Sequence, residues 1–246
     1  MNIIKLNEAT STNTVLASMA ADAPHGTIVY AVSQTAGRGQ RGNSWESEPG
    51  KNITMSVLLK PASVAAAQQF AISEAVSLAI VTVLRRHING HRITVKWPND
   101  IYAGDRKICG ILVENTLTGS RICHSIAGIG ININQREFRS DAPNPVSIFQ
   151  LTGRETPVEE IMREFCEEIL AAFARIDREG ETMGLHGEYS AALWRADGFY
   201  PYTEASTGEV FKGRIAGIAP TGHITLERQD DGRLLTYAFK EISAVL

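Results

Sequence analysis

The chain has 246 residues, 43% of them hydrophobic and 21% charged, which suits one large globular domain with at most a small appendage. Its formal charge of -3, from 24 Lys+Arg against 27 Asp+Glu, excludes a general nucleic-acid field, so any anion site must be local. Cys109, Cys123 and Cys166 form no CxxC spacing, so free thiols in a reducing compartment are expected instead of a disulfide framework.

The N-terminus, MNIIKLNEATSTN, has neither the basic start nor the apolar core of a signal peptide. Within it NIIKLNEA predicts a short edge strand, and STNTVLASMA follows as a helix opening on Ser, Thr and Asn. Those residue types cap orphan N–H groups at helix starts. GTIVYAVSQ and NITMSVLLK are strands, separated by the long glycine-rich loop AGRGQRGNSWESEPGKN at 36–52. A long helix is expected over 64–88, stopping at Asn89-Gly90. Its apolar run from Val64 to Leu84 contains Gln68, Gln69 and Glu74, a polar stripe at helical period. That argues against a membrane span, and a cytoplasmic location is expected.

HRITVKWPNDIYAGDRKICGILVENT reads as a strand, a turn at Pro98 and a hairpin around Ala103-Gly104-Asp105, whose second arm is KICGILVEN. ICHSIAGIGININ continues the sheet, and helices are expected over 147–152, 158–177 and 181–194. From about Phe199 the helical period is lost, and short β-like runs with several glycines suggest a small barrel. Strands followed by helices without strict βαβ alternation give an α+β class, with helices on one face of the sheet. The expected units are 1–198 and 199–246.

Several familiar chemistries are disfavoured. His87 and His91 have metal-pair spacing, but ING between them should break the helix and no third ligand is near. GIGIN at 128–132 lacks the last glycine of a dinucleotide motif and does not open a helix. GRGQRGNS is not a Walker A loop, and no Gly-x-Ser-x-Gly elbow occurs. The glycine loop remains, with Arg38, Arg41 and Trp45 interleaved among Gly37, Gly39 and Gly42. Glycine lets backbone N–H groups approach a ligand, arginine forks onto phosphate or carboxylate, and an indole offers a stacking surface. Such a loop could close over an anion, although a disordered surface loop would have the same composition. Lys96, Asn99 and Asp100 crowd the turn in KWPND, and Lys107 sits beside an apolar strand, where a partner anion is expected.

With these residues in view the chain resembles the biotin–protein ligases. The shared stretches are STN (11–13), QTAGRGQRGNSWES (34–47), KWPNDIY (96–102), RKICGILVE (106–114) and GIGININ (128–134), in the family's order. The resemblance implies a mixed sheet of class II synthetase type followed by an SH3-like β-barrel. It implies a two-step reaction, in which biotin and MgATP give biotinyl-5′-adenylate and pyrophosphate. A lysine of a biotin carboxyl carrier domain then attacks the adenylate and releases AMP.

By position, the resemblance makes Ser11, Thr12, Asn13 and Gln34 polar contacts to the biotin head. Gly37, Arg38, Gly39, Gln40 and Arg41 become a lid, with Trp45 flanking the ligand and Gly110 beside it. Lys107, with Arg38, is the expected catalytic cation. Lys96, Asn99, Asp100 and Asn132, together with Arg38, Arg41 and Trp45, are expected near the nucleotide. Mg²⁺ is expected through the ATP phosphates, near Asp100, with no dedicated protein metal site. Gln40 and Asn43 stand where basic residues are common in the family, so this lid is less cationic. The STN motif comes by residue 11, leaving no room for an N-terminal helix-turn-helix, and no specific DNA binding is expected. The implied partner is a carboxylase carrier domain, with no membrane and either a monomer or a homodimer. A lipoate-using adenylating ligase and a non-catalytic biotin-binding module are the alternatives.

Overall fold

β1 (Asn2–Ala9), β2 (Thr27–Gln34), β3 (Ile53–Leu59), β4 (Ile93–Lys96), β5 (Asp100–Ala103), β6 (Arg106–Thr118) and β7 (Arg121–Ile131) make one sheet, ordered β1-β2-β3-β7-β6-β5-β4. The structure is a computed structural model, and it describes every residue except Arg41, Gly42, Asp141 and Glu179. β1 pairs with β2 in parallel and the remaining pairs are antiparallel, so the sheet is mixed.

The helices are α1 (Thr12–Met19), α2 (Phe70–His87), α3 (Ile148–Thr152), α4 (Val158–Asp177) and α5 (Thr182–Ala191). On α4, Ile161, Phe165, Ile169, Ala172, Phe173 and Ile176 recur at helical spacing and are buried with α2 against one sheet face. A fully buried side chain of this size contributes about 1.5–3 kcal/mol, so Phe165→Ala should cost about 3–5 kcal/mol.

The expectation of helices on one face needs correction. Successive strand residues point to opposite faces. Ile53, Met55, Val57 and Leu59 of β3 join the core of α2 and α4, whereas Leu58 packs with Leu16 of α1, Ala20 just after it, Val29 and Ile126. α1 therefore covers the other face, and β3 is buried along its whole length because both faces are covered. A second correction concerns Glu74. It is 2% exposed, inside the core edge, and bonded to His186 Nδ1 at 2.7 Å. The apolar period of α2 is broken there by a buried ion-pairing residue, not by a solvent stripe. By length and composition 66–87 could cross a membrane, but most of it is buried inside this fold.

β8 (Tyr200–Glu204), β9 (Val210–Ile218), β10 (Ile224–Arg228), β11 (Leu234–Tyr237) and β12 (Ile242–Ala244) form a separate antiparallel sheet, ordered β11-β10-β9-β8-β12. Its inner residues Tyr202, Phe211, Leu226 and Tyr237 are continuous with the main core. Trp97 Nε1 donates to the Gly222 carbonyl at 2.9 Å and brings this sheet against the turn between β4 and β5.

Candidate active site

The α1 side of the large sheet carries a row of small and polar residues. Directly opposed residues of antiparallel strands share a face. Gly130 pairs with Gly110, Gly128 with Leu112 and Ser56, Ile126 with Glu114, and Asp100 with Gly110. Of these, Asp100, Gly110, Leu112, Gly128 and Gly130 floor a cavity of about 460 Å³. Its walls come from the start of α1, the glycine loop, the turn after β4, Tyr202 of the second sheet, and Phe239 and Lys240 between β11 and β12.

The glycines are there because other side chains need the space. A Cβ on Gly128 would overlap the Asn13 amide, and one on Gly130 would overlap the Trp45 indole. One on Gly110 would meet Trp45 Cζ3 at 2.9 Å. Trp45 thus lies flat on the floor, and its buried Nε1 has no hydrogen-bond partner among the described residues.

Most of the expected site residues converge here. Ser11, Thr12, Asn13, Gln34, Arg38, Gly39, Gln40, Trp45, Lys96, Asn99, Asp100, Lys107 and Gly110 all line the cavity. Arg41 lies outside the described residues. Gly37 does not line the cavity. It supports the loop, since its carbonyl accepts from Trp45 N at 3.0 Å and a Cβ would stand 2.7 Å from the Trp45 carbonyl oxygen. Asn132 is also displaced from expectation, because its Nδ2 donates to the Val146 carbonyl at 3.1 Å and its side chain does not line the cavity. A buried asparagine between Ile131 and Ile133 braces the loop after β7.

The helix start works differently from a simple cap. Ser11 is the N-cap residue, yet its side chain makes no capping bond. Gln34 Oε1 accepts from Thr12 N at 2.8 Å instead, satisfying one orphan donor from a neighbouring strand. The Ser56 hydroxyl lies 2.8 Å from Thr12 Oγ1 and 2.5 Å from Asn13 Oδ1. Asn13 Nδ2 donates to Glu114 Oε2 at 2.7 Å, so both ends of this buried amide are held by protein.

Two cation–carboxylate pairs stand at the cavity, whose lining includes Lys107, Asp100 and Arg38 but not Glu114. Lys107 Nζ lies 2.7 Å from Asp100 Oδ1 and 5.6 Å from the Trp45 ring centre. Arg38 forks onto Glu114, with Nη2 2.8 Å from Oε2 and Nη1 3.2 Å from Oε1. Burial pushes the Lys96 ammonium below its usual range, and Asp100 opposes that shift while Lys107 adds to it. Asn99 Nδ2 donates to the Ile111 carbonyl at 2.6 Å, fixing the turn beside the Trp97–Pro98 cis bond. No group of three His, Cys, Asp or Glu able to hold a metal occurs among the described residues.

The glycine loop has partners without any ligand. Gly39 N donates to the Asn43 carbonyl at 2.7 Å and Arg38 bridges to Ser44, so these two short stretches of the loop pair with each other. Sequence reasoning missed Glu114 and Ser56, which bond lining residues from behind, and it missed two lining residues, Gly128 and Gly130. Glycines inside strands signal a close approach of other groups, and that signal could have found the last two.

Residues 6–132 match the Biotin/lipoate A/B protein ligase family. The chain is 31% identical over 224 residues to the biotin–[acetyl-CoA-carboxylase] ligase of Paracoccus denitrificans, covering 88% of this chain and 90% of that one. It is 32% identical over 213 residues to the bifunctional ligase/repressor BirA of Bacillus spizizenii, covering 85% of this chain but 64% of that longer relative. The biotin protein ligase of Aquifex aeolicus, solved in complex with biotin and ATP, superposes with a TM-score of 0.80 at 23% identity, over 99% of this chain and 98% of that one. That likeness carries the fold, a mixed α+β architecture. The sequence matches carry the family, and this chain belongs to the biotin/lipoate A/B protein ligases.

Proposed function

We propose that the chain is a biotin–protein ligase. The biotin carboxylate attacks the α-phosphorus of MgATP and pyrophosphate leaves, giving biotinyl-5′-adenylate. The ε-amine of a lysine on a carboxylase carrier domain then attacks the acyl carbon, and AMP leaves. The observation that carries this reading is the Lys107 ammonium, held 2.7 Å from Asp100 within the same cavity as Arg38. An anion attacking an anionic phosphate needs fixed positive charge where negative charge builds up. Lys107 is assigned to the reacting carboxyl and α-phosphate, and Arg38 to the acyl-phosphate under the lid. Lys96, Asn99 and Asp100 are assigned to the nucleotide side. Mg²⁺ enters with ATP, and the phosphates serve as its main ligands.

The buried polar end at Ser11, Thr12, Asn13 and Gln34 favours biotin over lipoate. A ureido group offers donors and an acceptor to hydroxyls and amides there, which an apolar dithiolane ring does not. In this reading residues 1–198 form the catalytic unit and 199–246 an SH3-like unit that completes the nucleotide side, and the protein acts in the cytoplasm. The decisive experiment measures pyrophosphate release with ATP and either biotin or lipoate, then transfer to a carrier domain. Release that does not depend on biotin, or that prefers lipoate, would overturn the assignment.

A further inference from the structure

Lys107 belongs to a strand whose regular alternation would point it away from the cavity. β6 pairs Gly110 with Asp100 and Cys109 with Ile101, but the next partner, opposite Tyr102, is Lys107. Ile108 is therefore an extra residue, a β-bulge. Residues two apart on a strand share a face, so regular pairing would put Lys107 with Cys109, which is buried in the core. The bulge shifts that order and brings Lys107 to the face of Gly110, where its Nζ stands 3.4 Å from the place of a Cβ on that glycine. On the other side of β6, the pairing with β7 begins only at Cys109 and Ile131. Beyond that point the segment returning after β7 takes the neighbouring position, with Pro145 bridged to Lys107 in parallel. Lys107 N donates to the Asn144 carbonyl at 2.9 Å, and Val146 N donates to the Lys107 carbonyl at 2.8 Å. Asn132 N donates to the Ile108 carbonyl at 2.9 Å. The segment is itself tied down, since Asn132 Nδ2 donates to the Val146 carbonyl at 3.1 Å and Asn144 Nδ2 donates to the Asp105 carbonyl.

We propose that residues 144–146 form a strap that places the Lys107 ammonium in the cavity, with Asn144 as its positioning residue. Asn144 grips β6 twice, through its carbonyl at Lys107 and through its amide at Asp105, on either side of Arg106. Its φ of 49° lies in the left-handed region, which glycine adopts freely and asparagine tolerates. Glycine would fit that backbone without strain but would lack the donor to Asp105. A strained residue that supplies such a bond next to a working side chain points to a positioning role over ordinary loop packing. The strap meets β6 at the bulge, where a shift of the backbone passes directly to the Lys107 side chain. The 2.7 Å contact between Lys107 and Asp100 depends on the same register, because Asp100 stands opposite Gly110 on the regular side of the bulge. A reacting group displaced by about 1 Å can lose about 10²-fold in rate, so the strap bears on chemistry as well as on folding. The role of Lys107 rests on the proposed reaction, whereas its placement does not.

Asn144→Gly keeps the left-handed backbone and removes the bond to Asp105. A short pulse of acetic anhydride, followed by peptide mass spectrometry, reads the accessibility of the Lys107 amine against that of Lys212, an exposed lysine of the second sheet. Lys107 should be acetylated about fivefold faster in the variant, the factor of one lost hydrogen bond, with the melting temperature within a few degrees of the parent. Biotin-dependent pyrophosphate release should fall about 10- to 100-fold. In a Lys107→Ala background the same change should lower release by less than about twofold, because no ammonium remains to be misplaced. An unchanged rate of Lys107 acetylation would overturn the strap. So would a loss of release as large without Lys107 as with it, or faster acetylation that leaves release unchanged. A parent protein that releases no pyrophosphate in response to biotin would overturn the reaction, and the acetylation rates would then decide the placement by themselves.

Discussion

Lys107 Nζ and Asp100 Oδ1 are 2.7 Å apart across β6 and β5, with 25% and 18% of the two side chains exposed. The pair sits at the edge of the cavity floor, next to Gly110 and under Trp45. A cation placed there could have served the fold or the chemistry, and the two roles separate by experiment.

Lys107→Ala should remove chemistry far more than stability. Loss of one preorganised donor costs on the order of 10²–10³ in rate. The pair lies between the exposed and buried limits, so its loss should cost on the order of 1–2 kcal/mol, or about 2–8 °C in melting temperature. Lys96 remains near Asp100 and limits the damage. Lys107→Arg should restore little activity, because a planar fork does not replace a compact ammonium in a fitted site. Biotin-dependent pyrophosphate release and a melting curve for each variant provide the test. A folded Lys107→Ala protein adenylating biotin within about threefold of the parent would remove this residue from the mechanism.

The two floor glycines should respond in opposite ways. At Gly128 an added methyl meets Asn13, which is buried and held by Ser56 and Glu114. That group cannot move without losing its bonds, so Gly128→Ala should cost about 1–3 kcal/mol of stability. At Gly130 the methyl meets the Trp45 indole, which sits on a loop and has no bond at Nε1 among the described residues. The indole can lift away, so Gly130→Ala should melt within about 0.5 kcal/mol of the parent while biotin binding changes strongly. Equal stability losses in the two variants would show that Trp45 is as firmly seated as Asn13.

The strands and the large helices were legible because their signals are local. α4 was expected over 158–177 and is observed as Val158–Asp177, where apolar spacing and the preceding Pro157 agree. The face that α1 covers was not legible, because an eight-residue helix with mixed polarity is placed by tertiary contacts at Leu16 and Ala20. Many of the residues that line the cavity stood out in the sequence, since cations and glycines are conspicuous in a chain of ordinary composition. Glu114 was hidden because a glutamate near the end of a strand reads as an exposed surface charge. Its partners lie 76 and 101 positions away. Asn132 shows the converse, since a motif position does not reveal that its amide donates to the Val146 carbonyl.

A pH-dependent cost should arise at Glu74, away from the cavity. Its carboxyl is buried on α2, and burial pushes its proton affinity above the usual carboxylate range. The hydrogen bond and charge of His186 pull the other way without overcoming burial, and Tyr189 is the other titratable side chain facing it. Well below the ordinary carboxylate range Glu74 is protonated in both folded and unfolded chains. As pH rises, the unfolded chain releases its proton first, so in that window the folded state binds more protons. Stability therefore falls with rising pH through the window between the ordinary and the raised value, and then levels off. Glu74→Gln keeps a polar partner for His186 without a carboxyl to ionise, so it should lack this fall. Urea denaturation of the parent and the variant at a series of pH values follows the Glu74–His186 pair, because titrating groups that do not touch Glu74 cancel in the difference. The variant's advantage should grow as pH rises through the window and remain constant beyond it. A difference that stays flat across the series, or one that favours the parent as pH rises, would mean that the His186 bond compensates the burial of this charge in full.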